Sequence, residues 1–258
     1  MQGIDKDSIG LVVVATITPD NITPSMAAMV KKELGLERAI AFDINAACSG
    51  FVYGLWIAES LMNTALSQYS KDGASKRALV VGTERLTRVT NWEDRETCIL
   101  FGDGAGAAVL KAEETGIIDM MMGADGTKGD VLACTSRTVG NFLTGTKPEL
   151  GFMTMDGQEV FKFAVRKVPE SVMELLQRTG TKKEDIKYYV LHQANERIIE
   201  AAARRLNEPM EKFPMTIGQF GNTSTASIPL LLDDMIQKDM LKRGDKIIMS
   251  GFGAGMTW

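Results

Sequence analysis

Histidine is the scarcest reactive residue type in this sequence, with a single copy, His192, among 258 residues. Any Cys–His or Ser–His mechanism must therefore use His192, unless a second chain contributes the histidine. The three cysteines, Cys48, Cys98 and Cys134, show no CxxC spacing. This pattern argues against both a zinc site and a disulfide framework, and it fits a reducing compartment.

Positive net charge and long hydrophobic runs are also lacking. The net charge of −4 argues against a nucleic-acid-binding protein, which would show a basic excess. No apolar run approaches the roughly 18–20 residues of a membrane span, and the first residues lack the apolar core of a secretory signal. We therefore expect a cytoplasmic protein. The hydrophobic fraction of 45% and the charged fraction of 24% are ordinary for a globular chain.

Apolar β-branched runs alternate with helical patterns along the chain, which predicts an α/β fold. Strands are predicted at 10–16, 39–44, 77–84, 107–111, 117–122, 187–191, 213–217 and 246–250. Helices are predicted at 26–34, 50–67, 157–178, 195–206 and 226–238, with a kink or a break at Pro169. The helix at 50–67 is apolar on nearly all sides, which predicts burial. Residues 128–151 show no period and predict an irregular surface excursion.

The glycine-rich stretch at 101–106, FGDGAG, superficially resembles a dinucleotide fingerprint. Its spacing is wrong, and a strand follows where a helix should begin. We interpret it as a tight turn at which backbones approach closely.

The two ends of the chain repeat one pattern: strand, loop, helix, second strand, small-residue turn and apolar helix. The turn holds Cys48 in the first copy and Asn222 in the second. We predict two pseudo-symmetric βαβα halves, residues 1–115 and 116–258, that form one compact unit with helices between parallel-rich sheets. Cys48 and Asn222 would then be adjacent at the midline. His192, at the end of a strand, would face the same crevice.

Cys48 follows a predicted strand and begins the apolar helix. A cysteine at a helix N-terminus faces unpaired backbone N–H groups and the positive end of the helix dipole, which favour the thiolate. The competing interpretation is a small buried hydrophobic side chain at a tight corner. The local pattern is compatible with both.

Four motifs in order make the chain similar to β-ketoacyl-acyl-carrier-protein synthase III, and two further motifs stand in the expected places. The four are AACSGF at 46–51, HQAN at 192–195, GNTS at 221–224 and GFGAGMTW at 251–258; the others are FGDGAG at 101–106 and DGQEVFK at 156–162. The resemblance implies the thiolase-like layered α/β/α/β/α fold. It also implies the initiating condensation of bacterial fatty-acid synthesis, in which an acyl-CoA and malonyl-acyl carrier protein give 3-oxoacyl-acyl carrier protein, CoA and CO₂.

By this resemblance, Cys48 is the nucleophile that takes the acyl group, because a thiolate both attacks and leaves well. His192 and Asn222 would hold the malonyl thioester carbonyl while CO₂ leaves, since two N–H donors stabilise the enolate oxygen. The backbone N–H groups of Cys48 and Ala254 would stabilise the oxyanion of acyl transfer. No cofactor is implied beyond the coenzyme A thioester, which is a substrate.

The resemblance also implies binding positions and partners. Arg95, Phe161, Asn195 and Phe252 match residues that contact coenzyme A or line the substrate tunnel. Arg197, Arg204 and Arg205 lie on one face of a predicted helix, which is either a docking patch for the acidic acyl carrier protein or a solvated face. The family further implies a homodimer.

Several alternatives remain at this stage. A thiolase would need a second catalytic cysteine, and Cys98 and Cys134 lie outside the final glycine turn. A polyketide or chalcone-synthase-like enzyme shares Cys–His–Asn, and a hydroxymethylglutaryl-CoA synthase would need a catalytic glutamate that we could not place. A cysteine hydrolase is the alternative from another enzyme class. Because relatives continue at both ends, we expect a chain without the first and last strands, and a non-catalytic remnant is a further alternative.

Overall fold

The computed structural model describes residues 3–64, 76–135, 140–149 and 151–258. Its helices are α1 Met26–Leu34, α2 Gly50–Asn63, α3 Arg95–Cys98, α4 Gly157–Thr179, α5 Glu196–Leu206, α6 Ile217–Phe220 and α7 Ser227–Gln237. Its strands are β1 Ile9–Ala15, β2 Ile40–Ile44, β3 Arg77–Arg85, β4 Asp103–Lys111, β5 Leu132–Cys134, β6 Met153–Met155, β7 Ile186–Leu191 and β8 Lys246–Ser250. Single 3₁₀ turns include Ala47–Ser49, Ser224–Ala226 and Ala254–Met256. The predicted end of the second helix, residues 65–67, lies outside the described residues.

Four strands form the first sheet in the order β2-β1-β3-β4. The central strand β1 runs parallel to β2 and β3, whereas β4 is antiparallel to β3. All seven residues of β1, IGLVVVA, are buried, as expected of a strand covered on both faces. The second sheet pairs β7 with β8 in parallel, and β5 pairs with β6 in antiparallel.

Helices α2 and α7 lie between the two sheets. One apolar cluster joins Leu11 of β1, Phe51 of α2, Val190 of β7 and Leu231 of α7. Helix α1 packs on the outer face of the first sheet, and α4 and α5 cover the outer face of the second. The order helix, sheet, helix pair, sheet, helix pair confirms the predicted layered α/β fold.

The predicted ends of α1 are confirmed. The hydroxyl of Ser25 accepts a hydrogen bond from the Ala28 N–H, and Gly35 ends the helix in the left-handed conformation. The predicted break at Pro169 is wrong: α4 is continuous through that residue, and the proline side chain is buried among the apolar residues of the helix. The prediction for α2 is only partly right, because Trp56 exposes 42% of its surface.

Two predicted strands do not form. Residues 117–122 form no β-ladder with another strand. The Asp119 carboxylate instead accepts a hydrogen bond from the Met120 N–H and forms an ion pair with Arg178 at 2.8 Å. Residues 213–217 belong to no strand either, because Pro214 has no N–H to donate and the Thr216 N–H donates to the side chain of Gln193.

Two further predictions are corrected. The excursion at 128–151 contains β5, and its pairing with β6 covers one side of the site described below. The glycine-rich stretch is mostly the start of β4 and not a turn. Its close approaches are nevertheless real, because a Cβ on Gly102 would lie 2.3 Å from the Phe220 carbonyl oxygen. Within the part of the chain that the structure describes, no helix has the length and apolar character to cross a bilayer.

Candidate active site

Cys48 lies in the 3₁₀ turn between β2 and α2, and it is buried. The final glycine-rich turn packs directly against it. A Cβ on Gly253 would lie 2.7 Å from the Cys48 Sγ, and a Cβ on Gly251 would lie 2.7 Å from the Ser49 Cα. The backbone N–H groups of Ala254 and of Cys48 itself both lower the pKa of this thiol, which places them beside the sulfur. The two backbone N–H groups predicted to form an oxyanion hole therefore both act on Cys48.

Burial raises the pKa of the Cys48 thiol to about 11. The Ser224 hydroxyl and the two backbone N–H groups lower this pKa, whereas the negative charge of Glu84 raises it. The helix start does supply donors, as its sequence indicated. Desolvation outweighs them, so the resting side chain is a neutral thiol.

His192 directly follows β7 and is buried. Its backbone N–H donates to the Ser250 carbonyl at 2.9 Å, and its Nδ1 lies 2.7 Å from the Ser227 Oγ. The edge of Phe252 packs on the imidazole, with 5.2 Å between ring centroids. Burial lowers the pKa of His192 to about 3, so the ring is neutral at physiological pH. With Nδ1 on the Ser227 hydroxyl, Nε2 is the ring atom available to a ligand.

Asn222 is held by three hydrogen bonds. Its backbone N–H donates to Leu100, its carbonyl accepts from Gly102, and its Oδ1 accepts from the Ser224 N–H at 2.8 Å. Since Oδ1 is committed to the backbone, Nδ2 is the group that a ligand can contact. Asn222 therefore presents a donor.

A cavity of about 200 Å³ brings these side chains together. Cys48, His192 and Asn222 all line it, as predicted from the repeat. The cavity is otherwise largely apolar, and Leu132 and Met155 contribute from the β5–β6 pair. Of the predicted binding residues, Phe161, Asn195 and Phe252 also line this cavity.

The remaining predicted residues lie on the surface. Arg95 is exposed at the first position of α3, three residues after the exposed side chain of Trp92. Arg197, Arg204 and Arg205 are exposed on α5, and the Arg204 guanidinium lies 3.7 Å from the Glu200 carboxylate. Asn195, besides lining the cavity, caps α5 by accepting from the Arg197 N–H.

Sequence reasoning missed three polar residues around the site. The Ser224 hydroxyl lowers the pKa of Cys48, Ser227 hydrogen-bonds the His192 ring, and Glu84 is a buried carboxyl group whose charge acts on Cys48. Glu84 did carry a signal, because a charged residue at the carboxyl end of a buried parallel strand is where α/β proteins place functional groups. The two serines carry no such signal, since serine is common at helix starts. Among the described residues, no group of three or more histidine, cysteine or acidic side chains is arranged to hold a metal ion.

Comparison with known proteins decides the family. The family model "3-Oxoacyl-[acyl-carrier-protein (ACP)] synthase III" matches residues 42–126, and the model for its C-terminal part matches residues 176–258. A β-ketoacyl-[acyl-carrier-protein] synthase III of Clostridium novyi (strain NT) is 48% identical over 259 residues, covering 100% of this chain and 78% of the relative. The chain belongs to the 3-oxoacyl-acyl-carrier-protein synthase III family.

Solved structures of the synthase III family agree. The β-ketoacyl-[acyl carrier protein] synthase III of Thermus thermophilus superposes with a TM-score of 0.87 at 39% identity, covering 97% of this chain and 75% of that one. The priming β-ketosynthase of the R1128 polyketide biosynthetic pathway also gives a TM-score of 0.87, at 36% identity, over 99% of this chain and 74% of that one. The predicted thiolase-like fold is therefore confirmed, and the chain is an acyltransferase of the condensing type that initiates fatty-acid synthesis.

Proposed function

We propose that this synthase III joins an acyl group from acyl-CoA to malonyl-acyl carrier protein through an acyl-Cys48 intermediate. The observation that carries this proposal is the single cavity lined by Cys48, His192 and Asn222, with two backbone N–H groups at the Cys48 sulfur. The products are 3-oxoacyl-acyl carrier protein, CoA and CO₂.

Cys48 attacks the thioester carbonyl of acyl-CoA, and the bond to the CoA sulfur breaks. The tetrahedral oxyanion of this step is stabilised by the N–H groups of Cys48 and Ala254. One such donor typically contributes about 3–4 kcal/mol to the transition state. The sulfur of Cys48 then stores the acyl group until the second substrate arrives.

Malonyl-acyl carrier protein loses CO₂ in the second half-reaction, and negative charge develops on its thioester oxygen. His192 Nε2–H and Asn222 Nδ2–H are the donors for this oxygen. The neutral state of His192 suits this role, because the ring keeps one N–H and remains a hydrogen-bond donor. The resulting carbanion attacks the acyl carbonyl, and Cys48 leaves as a thiolate.

Substrate binding uses the predicted residues. Phe161, Asn195 and Phe252 line the channel for the pantetheine arm, and Arg95 contacts the adenine end of coenzyme A at the surface. The exposed arginines Arg197 and Arg205 of α5 attract the acidic carrier protein, and Arg204 contributes less because it pairs with Glu200.

We further propose a cytoplasmic homodimer. Large exposed apolar side chains, including those of Ile22, Trp56 and Ile99, are the kind of surface that a partner subunit covers. Light scattering after size exclusion measures this directly, and a 28.1 kDa species at micromolar concentration would contradict the dimer.

The experiment that tests the function is intact-mass detection of acyl transfer from a panel of acyl-CoA thioesters. We expect one acyl adduct on the wild-type chain and none on Cys48→Ala. Addition of malonyl-acyl carrier protein should discharge the adduct to 3-oxoacyl product. Adduct formation that survives Cys48→Ala would overturn the mechanism, and release of free acid would indicate a hydrolase.

The similarity to a priming β-ketosynthase of a polyketide pathway supports a second candidate, a primer enzyme for polyketide synthesis. The chemistry would be the same, and the carrier protein and primer would differ. Discharge by a polyketide carrier protein, but not by a fatty-acid carrier protein, would favour this candidate.

A further inference from the structure

A buried carboxyl group that has no role in the proposed condensation lies beside the cavity. Glu84 stands near the carboxyl end of β3 and exposes only 4% of its surface. Its negative charge acts on two titratable groups, the thiols of Cys48 and Cys134. No ion pair between Glu84 and a lysine or arginine occurs in the described ranges.

Hydroxyl groups, in place of the expected cation, surround the Glu84 carboxylate. Thr18 donates to Oε2 at 2.6 Å, Thr16 donates to the same oxygen at 3.3 Å, and the Ile17 N–H lies 3.2 Å from both oxygens. The Ser224 hydroxyl donates to Oε1 at 3.4 Å. Hydroxyl groups can donate to a carboxylate and can also accept from a carboxylic acid. This surrounding therefore suits both protonation states of Glu84.

Ser224 links Glu84 to the nucleophile. Its hydroxyl donates to the Glu84 carboxyl group at 3.4 Å and also lowers the pKa of the Cys48 thiol, and its side chain is buried. Its backbone has a φ of 49°, the left-handed region that a serine seldom adopts. The N–H of Ser224 donates to Asn222 Oδ1, which holds this conformation in place. One hydroxyl therefore acts on both acids of the site.

Burial disfavours a negative charge on either group, Cys48 or Glu84. It raises the pKa of Cys48 to about 11 and that of Glu84 to about 7, and the charge of Glu84 raises the pKa of Cys48 further. Acylation at neutral pH needs an acceptor for the thiol proton. His192, whose pKa is held near 3, is a much weaker acceptor than Glu84.

We propose that Glu84 accepts the proton of Cys48 through Ser224 when the enzyme is acylated, a step that rests on the proposed function. The Cys48 thiol gives its proton to Ser224 Oγ as Ser224 gives its own to Glu84. The products are a Cys48 thiolate and a neutral Glu84 carboxylic acid. The thiolate attacks acyl-CoA, and CoA leaves as a thiolate that takes a proton from water. Condensation returns Cys48 as a thiolate, and the proton on Glu84 passes back through Ser224.

The pH dependence of acylation tests this step. The rate of acyl-adduct formation is measured by quenched-flow intact mass with acetyl-CoA between pH 6 and 10. For wild type we expect a rate that rises through pH 7 and then levels, because ionised Glu84 is the acceptor. Glu84→Gln and Ser224→Ala should be at least about 10-fold slower at pH 8 and should rise with hydroxide without levelling, since base catalysis is lost. Glu84→Asp should recover part of the level region.

Ser171→Ala is the matched control for Ser224→Ala. The Ser171 Oγ is buried without a hydrogen-bond partner, so its removal should leave the acylation profile unchanged. Circular dichroism establishes that each variant is folded. If Glu84→Gln fails to fold, the Ser224→Ala profile decides the proposal.

Two results would overturn the proposal. If the Glu84→Gln variant is acylated faster than wild type, Glu84 only repels the thiolate. Retention of the level region in a folded Glu84→Gln or Ser224→Ala variant would assign the proton to another acceptor. A wild-type chain that forms no adduct at any pH contradicts the proposed function itself, which is a distinct outcome.

Discussion

At the scale of single residues, the site depends on small polar side chains that hold its larger groups. Ser227 holds the ring of His192, a Ser224 N–H holds the amide of Asn222, and the Ser224 hydroxyl contacts Cys48. The bonds to His192 and Asn222 leave His192 Nε2 and Asn222 Nδ2 free for the substrate. The neighbours of His192 and Asn222 therefore determine which nitrogen of each side chain donates to the substrate.

Ser227→Ala separates the two half-reactions. Loss of the hydroxyl frees His192 Nδ1, so the ring can take the wrong tautomer for donating from Nε2. We expect the condensation rate to fall about 10-fold, the equivalent of one hydrogen bond of about 1.4 kcal/mol. The rate of Cys48 acylation should change less than 2-fold, because that step uses backbone donors.

The measurement compares acyl-adduct formation with its discharge by malonyl-acyl carrier protein in the same preparation. Equal losses in both steps would show that Ser227 supports the fold of the site and not the tautomer of His192.

Cys48, His192 and Asn222 could be named from the sequence because the repeat and the single histidine draw attention to them and the family resemblance implies their roles. The size and sign of the pKa shift at Cys48 could not be predicted from the sequence, because the burial of Cys48 depends on how the final glycine turn packs. The contacts of Glu84 with Thr16 and Ser224 could not be predicted either, because these residues are distant from it in sequence.

At the scale of elements, glycines decide how closely β3 and β4 approach the turn that begins α7. A Cβ on Gly82 would lie 2.5 Å from the Thr225 carbonyl oxygen, and the backbone there has no room to yield. The turn that carries Ser224 therefore lies directly on the sheet.

Gly82→Ala should displace this turn and destabilise the protein by about 2–3 kcal/mol, the typical cost of overpacking a core. Acyl transfer should fall together with stability, because Ser224 and Asn222 shift. The free energy of unfolding is measured in urea, with Gly218→Ala as control, since nothing lies within 4 Å of its added Cβ. A Gly82→Ala variant as stable as wild type would contradict the close packing.

Elements with a strong period were predicted well, including β1, α1, β7 and β8 almost residue for residue. The errors fall where local pattern and tertiary contacts disagree. Residues 213–217 carry strand-like side chains, yet Pro214 and the Gln193 side chain direct their backbone elsewhere. The continuous α4 shows the reverse case, in which packing overrides a proline.

At the scale of the whole molecule, two of the buried ionisable groups, His192 and Glu84, affect stability in opposite directions. The pKa of His192 is lowered from 6.5 to about 3, so the unfolded chain binds more protons and stability is lost as pH falls below 6.5. The pKa of Glu84 is raised from 4.5 to about 7, so the folded chain binds more protons and stability is lost as pH rises from 4.5 to 7. The contributions offset each other between pH 4.5 and 6.5.

Single variants should reveal each contribution. The stability of wild type minus that of Glu84→Gln should fall with pH by up to about 1.4 kcal/mol per unit between pH 4.5 and 7. The stability of wild type minus that of His192→Gln should rise by a similar amount per pH unit between pH 3 and 6.5. Urea unfolding at four pH values measures both differences. Parallel profiles for all three proteins would contradict the buried pKa shifts.

The position of α2 and α7 between the two sheets also has a consequence for synthesis on the ribosome. Cys48 leaves the exit tunnel more than 140 residues before His192, and Asn222 follows later still. A nascent chain folds from its N-terminus, so Cys48 first exists without the second sheet that buries it. Until the C-terminal half is complete, we expect this cysteine to react as an ordinary accessible thiol. The same layering that assembles the site thus makes acylation competence a property of the finished chain.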